Sequence, residues 1–358
     1  MNRETLVRGC LLGLAVGDAM GHPIDKKNWD EIAESYGPNG LLGFDLMDGV
    51  ADVTSYTQLA VYACNAMLLG ACRGHYDRYL RYITLGLKEW AKGQHFRSVP
   101  ERTHCWVAQI PELRRRLCMD TQITDTLRKE ILGTPKAPVS YNSGPAMLTA
   151  AIAPALLYDA QKQTRSELAR LGQEAVALVT GDRLCQLSGA FIALALVSIL
   201  QEPAKSLATH YDMVCSELGD QYSNLPETVQ FTDLIRSAMK LTRDPEISPL
   251  VAMTMLDCRT GANCLAGAVY ASMIHPANFD EGMIAAVNHS GYSAATGALT
   301  GAFLGAKLGE VPEFYLESLE AAPFLEELAQ DLVAGRQTML IFDDHWDEKY
   351  VQGLPSTM

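Results

Sequence analysis

Asn288-His289-Ser290-Gly291-Tyr292-Ser293-Ala294-Ala295-Thr296-Gly297-Ala298-Leu299-Thr300-Gly301 reads as a polar, turn-prone loop feeding a tightly packed helix. Small residues continue at helical spacing through Gly305 and Gly309. Near the other end of the chain, Gly49-Val50-Ala51-Asp52-Val53-Thr54-Ser55-Tyr56-Thr57-Gln58-Leu59 repeats the arrangement, with polar residues leading into an apolar helix. Two such junctions, one from each end, are a way to build one shared site. Neither carries a carboxylate at its tip, so the pair speaks of architecture before chemistry.

Apolar residues recur at three- and four-residue spacing over 4–20, 56–73, 78–92, 145–160, 165–179, 184–201, 204–219, 229–242, 261–274, 279–288 and 294–308. Strand-like alternation is nearly absent, which predicts an all-α fold. Gly and Pro punctuate the joins at Gly21-His22-Pro23, Tyr36-Gly37-Pro38-Asn39-Gly40, Gly133-Thr134-Pro135 and Glu202-Pro203. No linker or change of composition divides the chain, so residues 1–309 are expected to form one helical domain. Residues 310–358 differ: two short helices (312–319 and 322–334) precede the acidic-aromatic tail Phe342-Asp343-Asp344-His345-Trp346-Asp347-Glu348-Lys349-Tyr350. This segment is read as lying over the domain surface with Trp346 and Tyr350 as anchors; a lid or partner-binding arm is the alternative.

Hydrophobic residues make up 48% of the 358 and aromatics 8%, a balance suited to closely packed helices. The formal charge of −13 argues against nucleic acid, which needs clustered Lys and Arg. The one basic run, Arg114-Arg115-Arg116, is expected on a surface helix. Nine scattered cysteines without a C-x-x-C pair suggest reduced thiols in a cytoplasmic protein. The apolar run near the N-terminus is broken by Gly13, Gly17 and Asp18 and lacks a cleavage site, so no signal peptide is expected. Nor is a membrane span, which needs ~20 uninterrupted apolar residues.

Four blocks in order then resemble one family. Gly9-Cys10-Leu11-Leu12-Gly13-Leu14-Ala15-Val16-Gly17-Asp18-Ala19-Met20-Gly21 resembles the opening helix of the ADP-ribosylglycohydrolases, which include the dinitrogenase-reductase-activating glycohydrolases. Tyr36-Gly37-Pro38-Asn39-Gly40 resembles their next loop, and Asn142-Ser143-Gly144-Pro145-Ala146-Met147 their glycine-bearing ligand loop. Val287-Asn288-His289 with the Gly297–Gly309 helix is similar to their closing motif. The resemblance implies a single-domain, all-α orthogonal bundle with a central cleft for ADP-ribose.

Departures from the pattern fall on the chemistry. Active members carry Thr-Asp-Asp at the first junction and Asp-x-Asp-Thr at the second, which together hold two magnesium ions. Here these read Thr54-Ser55-Tyr56 and Tyr292-Ser293-Ala294-Ala295. The family's Thr-His pair appears as Thr180-Gly181, and its arginine after the ligand-loop methionine as Leu148. Magnesium wants octahedral oxygen ligands and at least one or two carboxylates. Hydroxyls of Thr54, Ser55 and Ser293 add dipoles without charge, so no metal ligands and no cofactor are assigned. If the junctions meet, the rings of Tyr56 and Tyr292 occupy the space the metals leave.

The remaining candidates each have two readings. Asp18 either serves catalysis, by orienting a ligand loop or holding a water, or is a buried helix-end carboxylate bonded to nearby amides. Asp25, where the resemblance places a catalytic Glu, is either an acid/base group or a solvated loop acid beside Lys26 and Lys27. Asp52 is a helix cap or exposed acid before it is a metal ligand. Asn142, Ser143 and Gly144 precede Pro145 at a helix start, where free amides suit a diphosphate. Asn288 and His289 either bond a ligand or are satisfied within their loop. With Thr54, Ser55, Tyr56, Tyr292 and Ser293 these make up the expected ligand site. The resemblance therefore implies a protein that binds ADP-ribose, a related nucleotide or an ADP-ribosylated partner, without metal-dependent hydrolysis. An active ADP-ribosyl hydrolase using rearranged carboxylates, and a helical scaffold, are the alternatives.

Overall fold

A computed structural model describes residues 1–94, 103–118, 120–335 and 344–350. In chain order the α-helices are α1 (Arg3–Gly21), α2 (Trp29–Tyr36), α3 (Ser55–Cys72), α4 (Tyr79–Gly93), α5 (Thr121–Leu127), α6 (Ile152–Leu156), α7 (Arg165–Ala177), α8 (Arg183–Gln201) and α9 (Leu207–Gln221). They continue with α10 (Glu227–Leu241), α11 (Pro249–Leu256), α12 (Gly261–Ile274), α13 (Phe279–Val287), α14 (Ser293–Leu308), α15 (Glu313–Leu316), α16 (Ala322–Ala334) and α17 (Asp344–Tyr350). Among the described residues β pairing is limited to two isolated bridges, Met47 with Val50 and Ala51 with Leu319. The fold is all-α.

The organising contact is α1 against α14. Glycines repeat every fourth residue on both helices, and the helices run antiparallel with Gly9 on Gly305, Gly13 on Gly301 and Gly17 on Gly297. A Cβ added at Gly13 would lie 2.1 Å from the Gly301 carbonyl oxygen, and one at Gly17 2.0 Å from that of Gly297. Only glycine permits this approach. The register carries the C-terminal end of α1, with Asp18 and Gly21, to the N-terminal end of α14, with Ser293 and Ala294.

Helices α3 and α8 are apolar on nearly every face and run through the core. By length and composition α8 is apolar enough to cross a membrane, but it is buried among α6, α7, α9, α10, α12 and α14, which accounts for its hydrophobicity. All nine cysteines are free.

Three differences from the expected elements have local causes. The 145–160 segment is a 3-10 turn, Ala146–Ala151, followed by the short α6. Restarting the helix at Ile152 puts Pro154 in a first turn, where its missing N–H costs nothing. Helices α2, α5 and α11 are too short for a periodic signal and begin on capping side chains: Asn28 with Glu31, Asp120, and Ser248 before Pro249. Arg115 lies in extended chain after a 3-10 turn, where its guanidinium meets Asp52 and Glu320, so the Arg114–Arg116 run is not a helix face.

The C-terminal segment packs on this bundle. Ala51 donates its amide to Ser318 (2.8 Å), Arg8 pairs with Glu326, and Trp346 and Tyr350 are buried. Trp106 Nε1 donates to the Tyr350 hydroxyl (2.9 Å), which donates in turn to Asp331. Residues 336–343 and 351–358 of the expected tail lie outside the described residues.

Candidate functional site

Asp18 locks the first junction to α1. Its side chain is fully buried and accepts four hydrogen bonds, from the amide (2.8 Å) and hydroxyl (2.6 Å) of Thr54 and the amide (3.0 Å) and hydroxyl (2.6 Å) of Thr57. It caps α3 from another helix. Burial pushes its carboxyl up, and the bonds from Thr54 and Thr57 pull it back. Of the two carboxylates considered for catalysis, this one is engaged as a latch.

Asp25 stands at the second junction, just after the 3-10 turn His22–Ile24, and accepts the Ala294 amide (3.1 Å) in the first turn of α14. The Cys118 thiol reaches the same carboxyl, and its sulfur lies 3.2 Å from His22 Nδ1. An N–H from His22 to sulfur and an S–H from Cys118 to Asp25 would satisfy both contacts. Burial lifts Asp25 to about 6, although Ala294, Lys26 and Cys118 all pull it down. Burial lowers His22 while the charge of Asp18 opposes the shift. Burial, then the charges of Asp25 and Asp18, push the Cys118 thiol up. The group is thus a neutral thiol beside a neutral imidazole, unlike the thiolate of a nucleophilic cysteine. Cys118 is held there in the left-handed region, with φ at 48°.

Both tyrosines lie within electrostatic reach of this carboxyl. Tyr56 is buried and Tyr292 half-buried; burial raises each hydroxyl first, and the charge of Asp25 raises both further. The junction hydroxyls are committed elsewhere. Thr54 donates to Asp18, Ser55 to the Cys118 carbonyl (2.9 Å) and Ser293 to the His289 carbonyl (3.3 Å). Asp52, turned away, pairs with Arg115.

The loop at Asn142, Ser143 and Gly144 is pinned into the same region. Asn142 donates from Nδ2 to Asp120 (2.9 Å), and its Oδ1 accepts the Gly144 amide (2.7 Å). The Ser143 carbonyl accepts the Gly261 amide (2.7 Å), and that of Asn142 the Thr180 hydroxyl (2.5 Å). Asp120 also bears on Tyr292, linking this loop to the second junction. Pro145 caps a 3-10 turn rather than opening an α-helix, and the Gly144 amide is already bonded to Asn142.

Asn288 and His289 hold the closing loop. Asn288 accepts the Leu41 amide (2.7 Å) and donates to the carbonyls of Leu41 (2.8 Å) and Ile284 (2.9 Å), clipping the 40–41 loop to α13. His289 is fully buried, with Nδ1 3.2 Å from the Ser290 carbonyl, and burial lowers it to about 4. Gly291, at φ 133°, fits where a Cβ would sit 2.3 Å from the Cys258 carbonyl oxygen.

The structure thus brings Asp18, Asp25, Thr54, Ser55, Tyr56, Tyr292, Ser293 and the Asn142 loop together, while Asn288 and His289 serve the loop behind them. His22, Thr57, Cys118 and Asp120 belong to the site and escaped the sequence reading. Thr57 was signalled by its place one turn after Thr54; His22 and Cys118 are 96 positions apart, with no spacing to connect them.

Two magnesium ions do not suit this donor set. Asp18 is saturated, Asp52 is paired, Asp25 is shared between Ala294 and Cys118, and the three junction hydroxyls point their protons at protein acceptors. Among the described residues no three His, Cys, Asp or Glu side chains form a metal-holding group.

Comparison with known proteins bears on the fold and the family. An uncharacterized protein of Archaeoglobus fulgidus is 26% identical over 345 residues, covering 92% of this chain and 96% of that one. A solved structure described as an ADP-ribosylglycohydrolase-related protein complex superposes with a TM-score of 0.61 at 19% identity, covering 94% of this chain and 99% of the other, a likeness of fold. The family model for ADP-ribosylglycohydrolase matches residues 1–339, so the chain belongs to the ADP-ribosylglycohydrolase family.

Proposed function

We propose that this protein binds ADP-ribose, a related nucleotide or an ADP-ribosylated partner in its central cleft without magnesium-dependent hydrolysis. The observation that carries the reading is the fate of the two junctions: their hydroxyls are spent on protein acceptors, and Tyr56 and Tyr292 stand where the family's pattern has carboxylates. A metal site of the family's kind works by charge, orienting substrate and water and stabilising the transition state. Neutral hydroxyls and phenols do not replace that contribution. The free cysteines suit a reducing, cytoplasmic compartment.

A second reading rests on Asp25. A carboxyl pushed up to about 6 is near the working range of a general acid or base, and it sits beside His22 and Cys118. Metal-free hydrolysis would then run through Asp25.

Calorimetry with ADP-ribose, in EDTA and in magnesium, separates the readings when paired with hydrolysis of ADP-ribosylated arginine and serine peptides. Equal binding heat in both buffers without product release is the expected result. Release that survives EDTA and is lost in D25N favours the second reading. Release that requires magnesium would overturn the proposal, and silence throughout would leave the scaffold role.

A further inference from the structure

We propose that Lys26, Lys27 and Arg259, gathered at the edge of Tyr292, form an anion pocket that takes a phosphate or diphosphate group, in this protein the diphosphate of the nucleotide ligand. The nucleotide part of the proposal rests on the binding reading given above; the anion pocket does not.

A cavity of about 230 Å³ is lined by Lys26, Lys27, Asn28, Arg259, Gly291 and Tyr292. Three of its six residues are cations and none is a carboxylate, in a chain with 42 acidic and 29 basic residues. Such local reversal of the background charge concentrates anions at that point.

The three cations come from segments joined by backbone, so their spacing is set by the fold. Lys26 donates its amide to the Gly291 carbonyl (2.7 Å), and the Gly291 amide returns to the Lys27 carbonyl (3.4 Å). Tyr292 donates its amide to the Cys258 carbonyl (2.9 Å), which brings in the neighbouring Arg259. Lys26 takes a left-handed φ of 65°, uncommon for a residue with a side chain, and its ammonium lies 5.4 Å from the centre of the Tyr292 ring.

The lysines are available. Among the described residues no carboxylate lies within ion-pair distance of either ammonium, and the positive charge of Lys26 helps to pull the raised Asp25 carboxyl back down. Arg259 pairs with Asp257 at 3.1 Å, but both groups are more than half exposed, so the pair is weak and its guanidinium fork can turn to a phosphate. Tyr292 joins the pocket to the second junction, where it is the residue just before the first turn of α14.

The test is calorimetry in EDTA with inorganic pyrophosphate and separately with ADP-ribose, on the wild type, the K26Q/K27Q double variant and R259Q. Thermal melts check that each variant is folded, and R259Q carries the test alone if the lysine variant is not. Expected are pyrophosphate binding that weakens with rising salt and falls at least tenfold in each folded variant, with a parallel fall for ADP-ribose. Pyrophosphate that fails to bind the wild type, or binds all variants equally, overturns the pocket. ADP-ribose bound equally by wild type and variants overturns the assignment of this pocket to the nucleotide's diphosphate while leaving the cleft reading intact. Pyrophosphate bound through these residues with no ADP-ribose binding supports the pocket and removes the nucleotide.

Discussion

Asp25 shows how one half-buried carboxyl ties the site to stability. Burial holds it at about 6 against an ordinary 3.8, so the folded protein binds this proton more tightly than the unfolded chain does. A raised carboxyl therefore weakens folding as pH climbs from about 4 to about 6, and the penalty then stays constant above that range, at about 3 kcal/mol. His289 has the opposite slope: lowered to about 4, it costs stability as pH falls through the window below its ordinary 6.5. The two groups partly cancel in the wild type, and a variant separates them. D25N keeps an acceptor for the Ala294 amide and removes the charge, so urea unfolding should find it about 3 kcal/mol more stable than wild type at pH 8 and nearly equal at pH 4. A D25N protein no more stable than wild type at pH 8 would mean that Asp25 is solvated as its neighbours Lys26 and Lys27 are.

At the scale of elements, the α1–α14 contact sets two physical effects against each other. Alanine is the better helix former by about 1 kcal/mol, so propensity alone predicts that any helical Gly→Ala change stabilises. At Gly301, however, the new methyl would lie 1.9 Å from the Gly13 carbonyl oxygen, and backbone on both sides leaves nowhere for it to go. Overpacking of this kind costs about 3 kcal/mol, so G301A should melt well below wild type. Gly219 in α9 is the control: nothing lies within 4 Å of its added Cβ, and G219A should melt slightly above. Differential scanning calorimetry of the pair reads both signs, and a stabilised G301A would refute the close approach. The same elements show what periodicity reveals. The long helices α3, α8, α12 and α14 stand out because apolar residues repeat over several turns. Helices α2, α5 and α11 do not, because one or two turns give the pattern no length and their identity rests on capping groups instead.

On the scale of the whole molecule, the chain closes on itself twice. Helix α14 returns to α1, and the segment after it crosses back over the bundle, with Lys349 beside Asp331 and 4.3 Å from the Trp106 ring centre. Trp346 is buried in that second closure while the site lies at the junctions of α3 and α14. W346A should then lower stability by about 3 kcal/mol in urea titrations and leave the affinity for ADP-ribose within about twofold. An affinity lost along with stability would make the segment a lid rather than an anchor.

The sequence by itself determined the helical class, the family and the absence of acid at the junction tips, because periodicity, glycine spacing and residue identity are properties of neighbouring positions. It also left Asp18 with two readings and Asp25 with two more. Only the tertiary structure decided that Asp18 is consumed by Thr54 and Thr57, that Cys118 and His22 share the site with Asp25, and that Lys26, Lys27 and Arg259 meet at Tyr292. Which donors a carboxylate receives, and which cations share a cavity, depend on residues distant in the chain brought within a few ångströms. Glycine against glycine along α1 and α14 creates that proximity, and no spacing within a single segment encodes it.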